Sequence, residues 1–223
     1  MKVIITGASR GIGFEMVKQF LSNGHQVMAI SRNKVKLIKL EKLGAKILAF
    51  DLANEDFSAL IDAVKSFGKI DILINNAGVL VNKSLSKMTN EDIKNVYNVN
   101  VFSIIKLTRD LLPHFSNDAH IVNISSVGGV QGSVKFPGLS VYSSSKGAIS
   151  ILTECLAEEF KQNSIRFNAL ALGAVQTEML EVAFPDYEAN ISSKEMANYI
   201  YRFATQDGKF FNGKILTVSS SNP

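Results

Sequence analysis

The feature that most limits the fold is a glycine-rich turn placed between a strand and a helix. Thr6-Gly7-Ala8-Ser9-Arg10-Gly11-Ile12-Gly13 follows directly on the apolar run Val3-Ile4-Ile5 and opens an amphipathic stretch. A chain that leaves a strand this sharply and winds at once into a helix builds a β-α unit. The helix start then presents free backbone amides and the positive end of its dipole, which together hold a pyrophosphate. Glycines supply the tight turn and let a ligand approach the backbone. The spacing Gly7-x-x-x-Gly11-x-Gly13 differs from the more common G-x-G-x-x-G. Alone, such a loop is weak evidence; the strand before it and the helix after it argue for phosphate.

The same alternation continues along the chain. Residues 2–6, 26–30, 46–50, 71–75, 120–125, 166–171 and 214–218 read as strands. Ile72-Leu73-Ile74 and Ile121-Val122-Asn123-Ile124 are apolar on almost every residue, as strands covered on both faces of a parallel sheet are. Between them, 12–22, 34–43, 55–66, 91–115, 144–162 and 194–204 read as helices. Gly24 stands where a left-handed helix C-cap is expected. Thr89-Asn90-Glu91-Asp92 offers a capped helix start with acidic side chains in the first turn. Strands alternating with helices through right-handed crossovers give an α/β, doubly wound sheet with helices on both faces. No repeat, linker or change in composition marks a second unit, so 1–223 reads as a single domain.

Composition closes off other classes. The longest apolar runs fall short of a membrane helix or a signal-peptide core, so a cytoplasmic location is expected and no membrane partner. Cys155 is the only cysteine, and it reads as a small buried apolar residue within a helix. His25, His114 and His120 have no ligand spacing, so no metal site is expected. Net charge is +4, with Lys34, Lys36, Lys39, Lys42 and Lys46 clustered among Val35, Leu37, Ile38, Leu40 and Leu43. That pattern is an amphipathic helix with a wet face. No motif of a nucleic-acid reader accompanies it, and no nucleic-acid partner is expected.

The second strand ends in Ala29-Ile30-Ser31-Arg32-Asn33. An acidic residue at this place would grip a ribose diol; Ser31 and Arg32 stand there instead. A guanidinium fork suits a 2′-phosphate, and Arg10 lies in the glycine loop nearby. NADP(H) is therefore favoured over NAD(H). Asp51-Leu52 follows the third strand, where a carboxylate can accept a hydrogen bond from an adenine amino group, or act as a turn aspartate.

Tyr142 and Lys146 stand four residues apart and share a helix face. Such pairs are common and usually structural. This one follows Ser125-Ser126 at the end of an apolar strand, across the loop 127–141. Reducing a carbonyl requires a hydride at carbon and a proton at oxygen; nicotinamide supplies the first, and a tyrosine hydroxyl can supply the second. Moving a phenol ~2–3 pKa units toward neutrality takes about 3–4 kcal/mol. A nearby ammonium and the cofactor's charged ring are expected to provide it. Ser126 would hold the substrate oxygen beside Tyr142.

With Asn75-Asn76-Ala77-Gly78 between these segments, the chain resembles the short-chain dehydrogenase/reductase family. It is similar to the NADP-preferring 3-oxoacyl-carrier-protein reductases and carbonyl reductases. The resemblance runs from the first strand to about Thr177 and resumes in the last strand. It implies a Rossmann fold with a seven-stranded parallel sheet in the order 3-2-1-4-5-6-7. It implies a catalytic set of Ser126, Tyr142, Lys146 and Asn100, with Asn100 disturbing its helix and holding a water that relays protons through Lys146. The cofactor it implies is NADP(H). Its implied contacts are Gly7, Ser9, Arg10, Gly11, Ile12, Gly13, Ser31, Arg32, Asp51, Leu52, Asn76, Ala77, Gly78, Tyr142, Lys146, Gly173, Val175 and Thr177. Asn76 would also stabilise the central sheet. The partner is a small carbonyl or alcohol substrate.

Some segments depart from the family. Leu172-Gly173 replaces Pro-Gly, which implies a more mobile or reshaped nicotinamide loop. The loop before Tyr142 is long and carries Lys135-Phe136-Pro137-Gly138. The lid region 178–193 is short, which implies an open pocket. Val81, Leu85, Phe136, Leu139, Met179 and Phe184 are candidate substrate walls. The stretch Val218-Ser219-Ser220-Ser221-Asn222-Pro223 lacks the acidic-glycine pattern often found at a subunit interface. A homodimer or homotetramer through the Tyr-Lys helix is the family habit, and Ile149, Ile151, Leu152 and Leu156 permit it but equally serve a monomer core. The competing function is a non-catalytic NADP(H)-binding redox sensor, against which the complete Ser-Tyr-Lys-Asn set argues.

Overall fold

The computed structural model describes residues 1–220, so the end of the serine-rich stretch, 221–223, lies outside the described residues. Seven parallel strands form one sheet in the order β3-β2-β1-β4-β5-β6-β7. They are β1 (Lys2–Thr6), β2 (Gln26–Ser31), β3 (Lys46–Ala49), β4 (Ile70–Asn75), β5 (Phe115–Ser126), β6 (Arg166–Leu172) and β7 (Lys214–Val218). The order reverses between β1 and β4, the place where doubly wound sheets open a crevice.

Strand alternation sends neighbouring residues to opposite faces. Val3, Ile5, Val27 and Ala29 pack with Met16, Val17 and Phe20 of α1 (Gly11–Ser22) and Ile200 and Phe203 of α8 (Ser193–Thr205). Ile4, Met28, Ile30 and Leu73 pack on the other face. There they meet Leu60 and Val64 of α3 (Ser58–Phe67) and Leu107 and Leu111 of α5 (Ser103–Leu111). Each such side chain taken fully from water contributes about 1.5–3 kcal/mol. Gly24 closes α1 at φ +76°, as its position suggested.

The expected single helix over 91–115 is instead three pieces. α4 (Asn90–Tyr97) starts in a capping box between Thr89 and Asp92. A π-helical turn, Asn98–Phe102, follows, and then α5. Pro113 ends the run, because proline removes an amide donor and clashes with the preceding turn; β5 begins as early as Phe115. The helix expected at 55–66 starts at Ser58, where the Asp56 carboxylate accepts the Ser58 N–H at 2.8 Å. The Tyr-Lys helix, α6 (Ser140–Glu159), begins ahead of its expected start, so Tyr142 lies in its first turn.

Cys155 is exposed rather than buried. It stands one turn beyond Ile151, itself 62% exposed, so both lie on the outward stripe of α6. Ile149, by contrast, is core. α2 (Lys34–Glu41) has its wet face, but only Leu37 and Leu40 are buried. Among the described residues no helix is long and apolar enough to cross a membrane.

Candidate active site

A crevice of about 270 Å³ opens at the C-terminal ends of β1, β2, β4, β5 and β6. Its floor at one end is the glycine turn. Gly7 holds φ +68°, and a Cβ there would lie 2.8 Å from the Ala77 Cα. Gly13 packs so tightly that a Cβ would strike the Gly7 carbonyl oxygen. Both glycines bring β1, α1 and the loop after β4 into contact. Asn76 locks that contact: its Nδ2 donates to Thr6 O at 3.0 Å and Gly7 O at 3.3 Å. Asn76 thus ties the loop after β4 to the end of β1.

The start of α1 bears on what this end can hold. α4 and α8 cap themselves with Thr89 and Ser192. At α1, Arg10 occupies the N-cap without a side-chain cap, and the first turn has no acidic residue. Amides left without a partner at a helix start, beside a glycine cradle, fit a dinucleotide pyrophosphate. Ser9, Gly11, Ile12, Ala77, Gly78, Gly173, Val175 and Thr177 line the same crevice. Thr177 also caps a short helix, α7 (Glu178–Ala183), accepting the Leu180 N–H at 3.2 Å.

Beyond the turn, Ser31 Oγ donates to Ser9 Oγ at 2.9 Å. Arg32 lies 4.0 Å from Asp51, whose other oxygen accepts the Ala53 N–H at 3.0 Å. Leu52 lines the wall beside them. Arg10 Nη1 sits 2.6 Å from the Glu178 carboxylate, and Lys36 Nζ sits 3.6 Å from the same oxygen. The two cations beside it hold the Glu178 carboxyl below its ordinary range, the Arg10 hydrogen bond most of all. Lys36 and Glu178 were not singled out in the sequence. Lys36 was hidden in a lysine-rich face, and Glu178 comes near only through folding.

At the other end, Ser126 closes β5, its Oγ accepting the Gly128 N–H at 3.3 Å and lying near enough to the Tyr142 phenol to favour its charged form. Burial pushes that phenol up to about 12, and the Ser126 hydroxyl offsets only part of this. The downward shift expected from the sequence is therefore not a property of the protein alone. The reason is that burial dominates and only Ser126 offsets it. Lys146 Nζ stands 5.8 Å from the centre of the Tyr142 ring. It donates to Ile124 O at 2.8 Å, and burial lowers it to about 8.

Asn100 is fully buried in the π-helical turn and does not reach the crevice wall. Its Oδ1 accepts the Val79 N–H at 2.8 Å, and its Nδ2 donates to Val79 O and to Ser145 Oγ, each at 2.9 Å. Ser145 donates in turn to Tyr142 O at 2.6 Å. Asn100 thus clamps the loop after β4 to the first turn of α6. Ser125 likewise holds Lys146 O at 3.0 Å. From sequence alone Ser125 is only the neighbour of Ser126, and Ser145 has no role. The signal for Ser145 was the serine run after Tyr142, which is poor helix material unless it serves a network.

The substrate walls are partly as expected. Phe136, Leu139, Met179 and Phe184 line the crevice, together with Leu80. Val81 and Leu85 do not; Leu85 is 68% exposed. The short lid is tied down rather than open. Asn82 Nδ2 donates to Ala183 O at 2.8 Å, and the Phe136 and Phe184 rings meet edge-on at 6.1 Å. The Leu172-Gly173 loop is likewise pinned, Gly173 N–H donating to Val218 O at 2.9 Å.

A family model described as short chain dehydrogenase matches residues 1–188. The chain is 31% identical to 3beta-hydroxysteroid dehydrogenase 1 of Eggerthella lenta, over 92% of this chain and 82% of that protein. It superposes on 3-ketoacyl-(acyl-carrier-protein) reductase from Brucella melitensis complexed with NADH. The TM-score is 0.90 at 28% identity, covering 99% of this chain and 97% of that one. A short chain dehydrogenase from Burkholderia cenocepacia in complex with NADP aligns with TM-score 0.85 at 27% identity, covering 98% and 96%.

Proposed function

The chain belongs to the short-chain dehydrogenase family, and on that premise we propose that it is an NADP(H)-dependent oxidoreductase interconverting a carbonyl and a secondary alcohol, with Tyr142 as general acid and base. The observation that carries this reading is that Ser126, Tyr142 and Lys146 line the same crevice as the uncapped start of α1. On this reading residues 1–223 form one dinucleotide-binding and catalytic unit.

When bound, the nicotinamide supplies or accepts the hydride. Ser126 hydrogen-bonds the substrate oxygen and fixes it against Tyr142. The phenol, raised to about 12, carries its proton at neutral pH and donates it to that oxygen during reduction. Lys146, buried beneath the ring, holds the base of the site through Ile124 O. Asn100 sets the distance between the loop after β4 and α6. Both Nδ2 hydrogens of Asn100 are engaged, so a relay water there would donate to the second lone pair of Oδ1 or bond to the backbone of the π-helical turn.

Solved relatives hold NADH in one case and NADP in another. The preference for NADP(H) rests on Arg10, Arg32 and Lys36 around the end of β2, where no carboxylate belongs to β2 itself. Purified protein should oxidise NADPH in the presence of a suitable ketone, read at about 340 nm. Tyr142→Phe should lower kcat at least ~100-fold and leave NADPH affinity nearly intact; retained activity would refute the general-acid role. Arg32→Asp should move preference toward NADH, and an unchanged ratio would refute the 2′-phosphate assignment. Tight NADPH binding without turnover on a broad carbonyl panel would favour the sensor.

A further inference from the structure

We infer that the substrate is an uncharged ketone or alcohol with an apolar, ring- or chain-bearing body, and that molecules carrying a carboxylate, sulfonate or phosphate near the reacting carbon are rejected. This rests on the oxidoreductase reading above and names the substrate class for that site.

The crevice is electrically two-sided. Arg10, Arg32, Asp51 and Glu178 all line it around the glycine turn and the ends of β2 and β3. Past Ser126 and Tyr142 the wall is Leu80, Val127, Phe136, Leu139, Met179 and Phe184. Among the described residues, the charged side chain beside the reacting hydroxyls is Lys146, which is buried and engaged with Ile124 O.

The rim offers an anion nothing better. Lys83, carried by the loop that bonds to Gly138, is paired with Asp92 at 2.7 Å. Lys135, next to Phe136, folds back on its own loop, donating to Val130 O and Ser133 Oγ, each at 2.7 Å. An anion entering this end would leave water for a mainly aliphatic and aromatic wall whose polar side chains are the uncharged hydroxyls of Ser126, Tyr142 and Ser143, a cost that a neutral group of the same shape escapes. The lid reinforces the choice. Asn82 fastens Ala183 O, so Phe184 is held against Phe136, and together they make an aromatic wall rather than an open, hydrated mouth.

The test uses matched pairs differing only in charge: ethyl benzoylformate against benzoylformate, and ethyl acetoacetate against acetoacetate, with saturating NADPH. The expected result is a kcat/KM at least ~100-fold higher for the esters, the loss coming from unpaired burial of the acid. Met179→Lys, which places a cation in the wall, should narrow that ratio at least ~10-fold by raising turnover of the acids. Acids reduced as well as esters by the wild type would overturn the substrate class while leaving the oxidoreductase reading intact. NADPH consumption with none of the four, nor with any member of a broad carbonyl panel, would overturn both.

Discussion

Replacing Lys146 with methionine should change how stability depends on pH. Lys146 is 3% exposed, and burial takes its ammonium from 10.5 to about 8. At neutral pH the folded chain must therefore hold a charge it would rather lose, at a cost of about 3 kcal/mol. Between about pH 8 and 10.5 the unfolded chain binds more protons at this residue than the folded chain does, so wild-type stability rises with pH through that window. From about pH 7 to about pH 9.5 the gain is about 2 kcal/mol. Tyr142 works in the opposite sense, its pKa rising from 10.0 to about 12, but its loss of stability begins only near pH 10 and contributes little below that. Methionine fills a similar space without a proton to release. The lost bond to Ile124 O shifts the variant's stability by an amount largely independent of pH, so the slope isolates the buried charge. Urea unfolding of both proteins at about pH 7 and about pH 9.5 should show wild type gaining about 2 kcal/mol on Lys146→Met. A difference that stays flat would mean the ammonium is not desolvated, and the account of Tyr142 and Lys146 as a buried pair would fail.

Two further outcomes follow from the glycine end. Glu178→Gln frees Arg10 and Lys36 from an internal carboxylate, so NADPH affinity should tighten about 2- to 5-fold with NADH affinity unchanged, the modest size reflecting an exposed ion pair; equal changes for both coenzymes, read by fluorescence titration, would make Glu178 a fastening of the lid instead. Gly13→Ala forces a methyl onto the Gly7 carbonyl and should cost about 1–3 kcal/mol, seen as a lowered Tm and weakened NADPH binding.

Which parts of this protein could be read before folding follows from how local their causes are. The strands were legible because Ile72-Leu73-Ile74 and its counterparts are apolar on both faces, and the order of the sheet followed from the resemblance. The glycine turn was legible because its purpose is set by its immediate neighbours. The break at Asn98–Phe102 was not, because it depends on Asn100 finding Val79, 21 residues away. The resemblance implied a disturbance there; helical periodicity alone carried straight through it. Cys155 misled because helix composition says nothing about which stripe faces outward when Ile151 is also exposed.

The phenol presents the deepest gap. Residue types alone place a tyrosine near a lysine and suggest an acidified hydroxyl. The folded geometry sets the lysine over the ring, shifts the lysine down by burial and pushes the phenol up. Proximity along a helix fixes that two groups meet, but the sign of a pKa shift depends on which atoms meet and on how much water remains. A protonated phenol held beside Ser126 is suited to giving a proton to a carbonyl oxygen. For the reverse reaction the same phenol must first lose that proton, which the protein alone makes harder. On the proposed reading the protein alone favours the phenol form that reduction uses, and the phenolate that oxidation uses has to be stabilised by what binds in the crevice.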